Sequence, residues 1–292
     1  MNFRRDARPR RDFLQWLWVL AVLALPLPAW ATDLKIATWN LDWLTTRQAG
    51  HGLPADVVPR DEDDFARLAQ YARELNADVV AIQEVDGFQA ATKVFPRDLY
   101  SIHMTRDHVM QRVGIVVRRG LKYDMNPDVT ALAMNHLRSG ADITLHLGSS
   151  DLRILAVHLK TGCRNQPLPR THDRSCLELR DQVPVLEEWI AARRQEGMAF
   201  VILGDFNRWM DGRDALLSDL RRAAPLVRAT EGHSSPCWGA ENFIDHILAG
   251  GDAANWMQPD TLRVMTYRET DRALKDRLSD HCPVSVKFVA PD

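Results

Sequence analysis

The chain has 292 residues, 46% of them hydrophobic, and no repeat or second composition regime divides it, so one large domain with a substantial core is expected. Its 37 basic and 39 acidic residues give a net charge of −2. Without the first 31 residues, which hold five arginines and two aspartates, 32 basic and 37 acidic residues remain, a net of −5 that argues against nucleic-acid binding by bulk charge alone.

Residues 1–31 read as a signal peptide. Arg4, Arg5, Arg8, Arg10 and Arg11 precede the apolar run from Phe13 to Leu27, and Ala29-Trp30-Ala31 supplies a small-x-small cleavage site. Pro26 and Pro28 cut the run short of the roughly 20 residues that a membrane span needs. Arg10-Arg11-Asp12-Phe13-Leu14-Gln15 also resembles the twin-arginine export signal. Either export route leads to a periplasmic or secreted bacterial protein, with its working domain at residues 32–292.

From Leu34 to Trp39 a strand is expected, ending in Asn40-Leu41-Asp42-Trp43. Asp61, Glu62, Asp63 and Asp64 then open a helix with apolar residues at Phe65, Leu68, Ala69, Ala72 and Leu75, and carboxylates in a first turn suit the helix dipole better than a metal site. The run after Asp78, V-V-A-I-Q-E-V, is a second buried strand that delivers Glu84, a charge needing a hydrogen-bond network or a cation. Strands follow at Val113 to Arg118, Ile143 to Leu147 and Leu152 to Leu159, the last two joined by Gly148-Ser149-Ser150 and ending near His158.

Thr161 to Ser175 is a polar loop. The next helix carries Leu179, Val183, Leu186 and Ile190, stops at Gly197, and is expected to kink or start late at Pro184. Phe200 to Leu203 is an apolar, β-branched run broken by Gly204, after which come Asp205 and Asn207. A short helix over Ala215 to Leu220 precedes a strand from Phe243 to Leu248, with Asp245 and His246 in its middle on opposite faces, so at most one joins a shared site. Ser279-Asp280-His281-Cys282-Pro283 leads into a terminal strand, Val284 to Val289. Cys163, Cys176, Cys237 and Cys282 lack the C-x-x-C spacing of a zinc knuckle, and an exported protein favours disulfides. Of the three possible pairings, Cys163 with Cys176 is favoured because it closes a short loop, leaving Cys237 with Cys282.

Taken in order, T-W-N-L, I-Q-E-V, H-L-K, G-D-F-N, I-D-H-I and S-D-H-C-P-V resemble the motifs of the endonuclease/exonuclease/phosphatase (DNase I-like) superfamily over essentially the whole chain after residue 31. The resemblance implies a four-layer α/β sandwich: two packed mixed β-sheets with outer helices. It also implies phosphoester hydrolysis with a divalent ion, Mg²⁺ first and Mn²⁺ or Ca²⁺ next, which the oxygen donors here suit.

By that resemblance Glu84 is the principal metal ligand, supported by Asn40 and Asp280. Asp205 and Asn207 position or deprotonate the attacking water and hold a phosphate oxygen. His158 donates to the phosphoryl group or the leaving oxygen, and Asp245 orients His281, which is either general base or stabilising cation. Where DNase I-like members place a carboxylate that supports the first histidine, this chain has Gln111 and Arg112, so Arg112 becomes a candidate for binding the phosphate. The expected function is that of an exported, monomeric, metal-dependent phosphodiesterase acting on a phosphoester, in the first place nucleic acid. Two alternatives accompany it: a phospholipid or small-molecule phosphodiesterase of sphingomyelinase type, which a clustered, exposed set among Trp39, Trp43, Trp209, Trp238 and Trp256 would favour, and an inert binding protein on the same fold.

Overall fold

The structure is a computed structural model that describes residues 32–239 and 242–291 together with Met1, so the stretch read as a signal peptide lies outside the described residues. The strands are β1 (Thr32–Leu44), β2 (Val79–Val85), β3 (Tyr100–Met104), β4 (Arg112–Arg118), β5 (Lys122–Met125), β6 (Ala141–Leu147), β7 (Ser150–His158), β8 (Ala199–Asp205), β9 (Leu226–Arg228), β10 (Asp245–Gly250), β11 (Met257–Val264) and β12 (Val284–Ala290). The α-helices are α1 (Glu62–Leu75), α2 (Phe88–Val94), α3 (Arg174–Gln195), α4 (Ala215–Ala223), α5 (Ala253–Trp256) and α6 (Lys275–Leu278).

Two six-stranded mixed sheets result, ordered β11-β12-β1-β2-β4-β3 and β5-β6-β7-β8-β10-β9. Each is built around one parallel pair, β1 with β2 and β7 with β8, flanked by antiparallel partners. Strand alternation sends residues such as Leu34, Ile36, Val79, Ala81, Ile154, Ala156, Val201, Leu203 and Ile247 into one core between the sheets. The opposite faces meet helices: Ala37, Trp39 and Ile82 pack on α1 and α2, while Leu155, Val157, Phe200 and Ile202 pack on α3 and α4. The result is the expected four-layer α/β sandwich. At roughly 25 cal/mol per Å² of apolar surface, strands buried on both faces give this stack its main driving force.

Local signals behave as their chemistry dictates. Asp61 caps α1 by accepting from the Asp64 amide, and Asp64 returns the bond to the Asp61 amide, so the acidic cluster is a helix start. Two expectations are corrected. Helix α3 begins at Arg174, capped by Asp173, and runs through Pro184 instead of starting at it. Strand β10 begins at Asp245, because its pairing with β8 ends at Asp205, so Asp245 and His246 open the strand and do not lie in its middle. Both disulfides form as favoured, Cys163–Cys176 and Cys237–Cys282. No helix among the described residues is long and apolar enough to cross a membrane.

Candidate active site

Register assembles the site. The parallel pairing of β7 with β8 sets His158 opposite Asp205, and the antiparallel pairing of β8 with β10 sets Asp205 opposite Asp245. These residues continue the inward rows of Ala156, Leu203 and Ile247, so all three side chains point into the gap between the sheets just where the apolar core ends. From the facing sheet, the inward row of Leu34, Ile36 and Thr38 ends in Asn40. Its amide reaches across, Nδ2 donating to Asp205 Oδ2 at 3.0 Å and to Glu84 Oε1 at 3.2 Å.

Glu84 would face the helices if β2 kept its alternation, since Val79, Ala81 and Gln83 take the inward row. A left-handed backbone at Glu84 (φ 58°) breaks the register with both neighbouring strands and turns the carboxylate into the site. There it accepts from the Trp43 amide at 3.3 Å and from Gln111 Nε2 at 2.5 Å. Asp42 and Trp43 are also left-handed, at φ 43° and 55°. Arg60 holds that turn: its buried guanidinium donates to the carbonyls of Leu41, Asp42 and Trp43 and to those of Arg277 and Leu278, tying the segment after Asn40 to the segment before His281.

His281 Nδ1 lies 2.7 Å from Asp245 Oδ2, and its Nε2 is 3.8 Å from Asp205 Oδ2 and 3.7 Å from Asp280 Oδ1. Enclosure works against its charge, but the carboxylates of Asp245, Asp205 and Asp280 outweigh that and hold the imidazole well above its ordinary pKa. Burial pushes Asp205 up to about 7, raised further by Asp245 and opposed by His281 and by donors from Asn207 and Asn40. Asn207, left-handed at φ 52°, gives Asp205 both its amide N–H (2.7 Å) and its Nδ2 (3.2 Å).

His158 differs from His281. Burial, then the nearby charges of Arg138 and His281, hold it well below its ordinary value, and Arg138 Nη2 lies 2.7 Å from its Nε2 and 2.9 Å from its Nδ1. The nearest carboxylate oxygens, on Asp205 and Glu84, lie at 3.5 and 3.7 Å. His158 is therefore a neutral imidazole whose close partner is a cation.

Asn40, Glu84, His158, Asp205, Asn207, Asp245, Asp280 and His281 thus converge in one cleft. Arg112 does not join them; its Nε donates to Val109 O and its guanidinium lies against Gly87. His246 turns to the opposite face, bonded to Thr230 Oγ1 and Arg208 O. Two contributors escaped the sequence reading, Asp42 and Arg138, and Gln111 enters it only as standing where family members place a carboxylate. Asp42 carried a signal, a carboxylate two residues beyond Asn40; Arg138 arrives from an irregular loop and carried none.

The donor set suits a hard divalent cation. Burial, and then the carboxylates of Asp280 and Glu84, raise Asp42 to about 7, opposed by Arg60 and His281. Every cysteine is in a disulfide, so no thiolate is available as a ligand. Asn40 Oδ1 accepts from the Asp42 amide at 2.9 Å, and its nitrogen side faces Glu84. Asp205, Asp245 and His281 bring ligand atoms within 4.8 Å of one another and form a second set of residues that could hold a cation.

The fold recurs in solved proteins. Zebrafish (D. rerio) TDP2 complexed with single-strand DNA product superposes with a TM-score of 0.61 at 18% identity, covering 88% of this chain and 99% of that one. The human Nocturnin catalytic domain with bound sulfate gives 0.57 at 14% identity over 88% and 94% of the two chains. The 3′ phosphatase NExo from Neisseria, bound to product DNA hairpin, gives 0.56 at 18% over 87% and 99%. No curated protein matches the sequence. Residues 37–281 match the family described as Endonuclease/Exonuclease/phosphatase family, and the chain belongs to that family of phosphoester hydrolases.

Proposed function

We propose that the chain is an exported, divalent-metal-dependent phosphodiesterase whose substrate is nucleic acid. The observation that carries the reading is geometric: Asp205, fixed by Asn40 and Asn207, faces His281, whose Nδ1 is held by Asp245 at 2.7 Å, and the acidic side chains of Glu84, Asp42 and Asp280 stand near them. Those three carboxylates would hold Mg²⁺, or Mn²⁺ or Ca²⁺, which supplies charge neutralisation at the phosphate.

The chain's own groups perform the proton work. Asp205, fixed by Asn207 and Asn40, takes a proton from water as the new oxygen–phosphorus bond forms and the bond to the leaving oxygen breaks in line. His281 keeps Nδ1–H on Asp245 and directs Nε2–H at the phosphoryl oxygens, and it is the group with a proton to give the leaving oxygen. His158, held neutral, orients the phosphoryl group without serving as the proton store. Arg138, whose buried Nε has no hydrogen-bond partner among the described residues, takes the phosphate-binding part first considered for Arg112.

Two disulfides support export, because such bonds persist in oxidising compartments. The tryptophans do not support a lipid surface: Trp39 is fully buried, Trp256 is 8% exposed, and Trp238 stacks on Tyr267. The test is to offer the purified protein plasmid DNA, RNA, sphingomyelin and bis-p-nitrophenyl phosphate with Mg²⁺ or with EDTA. Cleavage of nucleic acid that stops in EDTA and falls by about 10²-fold or more in Asp205→Ala and His281→Ala is expected. Activity that survives EDTA and both substitutions refutes the mechanism, and cleavage of sphingomyelin alone transfers the assignment to lipid.

A further inference from the structure

Beside the catalytic cleft lies a second cavity of about 360 Å³, and the two share the walls Trp209 and Phe243. Its floor carries Arg228, a β9 residue only 7% exposed. Arg228 has no ion pair among the described residues; its Nε is buried without a partner, and its best contact, to Thr230 Oγ1, is a long 3.5 Å. Thr230 is itself engaged with His246 at 2.7 Å. A buried guanidinium left this way is costly unless something enters to accept from it.

The rest of the lining narrows what enters. Asp211 and Glu231 stand exposed on the same cavity, Glu231 with one oxygen on Arg221, while Trp209, Met210 and Phe243 supply flat or apolar wall. A bare phosphate would meet two carboxylates as well as the arginine. An apolar group or a quaternary ammonium would leave Arg228 unpaired. A nucleobase offers acceptors on one edge, donors on another and a π face, and guanine offers the fullest match: O6 and N7 for a guanidinium, ring and exocyclic N–H groups for carboxylates.

We propose that this cavity is a base-reading subsite, in which Arg228 and Asp211 select guanine at a fixed position next to the scissile phosphate while Trp209 and Phe243 pack on its ring. The proposal rests on the nuclease reading and adds to it a sequence preference that the catalytic cleft alone does not provide.

The test digests random-sequence DNA and RNA oligonucleotide pools to low conversion and sequences the cut ends. The readout is a base ratio at each position around the cut, which does not depend on how much of a preparation is active. Wild-type protein is expected to enrich guanine at one position by on the order of tenfold, as one good arginine–guanine contact provides. Arg228→Met is expected to abolish the enrichment. Asp211→Asn, at an exposed position that leaves the core intact, is expected to reduce it and serves where Arg228→Met fails to fold. Even base frequencies around the cut, or an enrichment unchanged in both variants, overturns the subsite while leaving the nuclease reading in place. If neither pool is cut although bis-p-nitrophenyl phosphate is hydrolysed, the nuclease reading has failed and the subsite falls with it.

Discussion

At the scale of single residues, two histidines in one cleft are driven to opposite charge states by their neighbours. His281 faces three carboxylates and is held protonated; His158 faces Arg138 and is held neutral. The direction of each shift sets the pH behaviour. In the proposed mechanism Asp205 must lose its proton to act as base and His281 must keep its own, so activity is expected to rise through about 7 and to fall as pH rises through a value above the ordinary histidine range. Asp245→Asn removes the leading charge that raises His281. It is expected to move the His281 titration, followed by NMR, toward or below about 6.5 and to carry the alkaline limb of the activity profile with it. An alkaline limb that stays where it is in this variant would show that His281 is not the group titrating there.

At the scale of elements, the chemistry depends on how closely β7 and β8 approach. Gly204 has φ 148°, a conformation that favours glycine, and a Cβ there would sit 1.9 Å from Val157 O, inside the parallel pair that sets His158 opposite Asp205. Gly204→Ala should therefore cost about 3 kcal/mol or more in urea unfolding and reduce kcat even where the protein is folded, because the strands that part carry His158 and Asp205 of the proposed site. A variant as stable and active as wild type would remove this account of the G-D-F-N stretch.

That stretch was legible in company: alone, G-D-x-N suits an ordinary Asx-type turn, and the five other motifs at strand ends, taken in order, decided for a site. The same holds for Glu84, although nothing in V-V-A-I-Q-E-V announced the left-handed residue that turns it inward. What escaped has a common cause. Strand β5 is mostly exposed and β9 has three residues, so neither shows a burial period. Arg138 and Arg60 act through loops, where side-chain partners are set by tertiary contact and not by spacing.

At the scale of the whole molecule, the two disulfides brace opposite ends of the cleft. Cys163–Cys176 closes a loop that receives the Trp209 amide at Arg164 O and the Arg208 guanidinium at Cys163 O, next to Asn207. Cys237–Cys282 acts directly behind His281, where Trp238 donates to Ser279 O and stacks on Tyr267, whose hydroxyl donates to His281 O and accepts from Trp39. Loop closure over separations of 13 and 45 residues predicts losses of about 3 and about 4 kcal/mol on removing each bridge. Position predicts a sharper contrast than stability does. Cys237→Ser/Cys282→Ser frees the segment bearing the imidazolium and should lower kcat in the folded enzyme, whereas Cys163→Ser/Cys176→Ser should chiefly lower the urea midpoint. Equal kcat in the two variants, measured where unfolding curves show both fully native, would mean that His281 is held by Arg60, Tyr267 and Asp245 without help from the bridge.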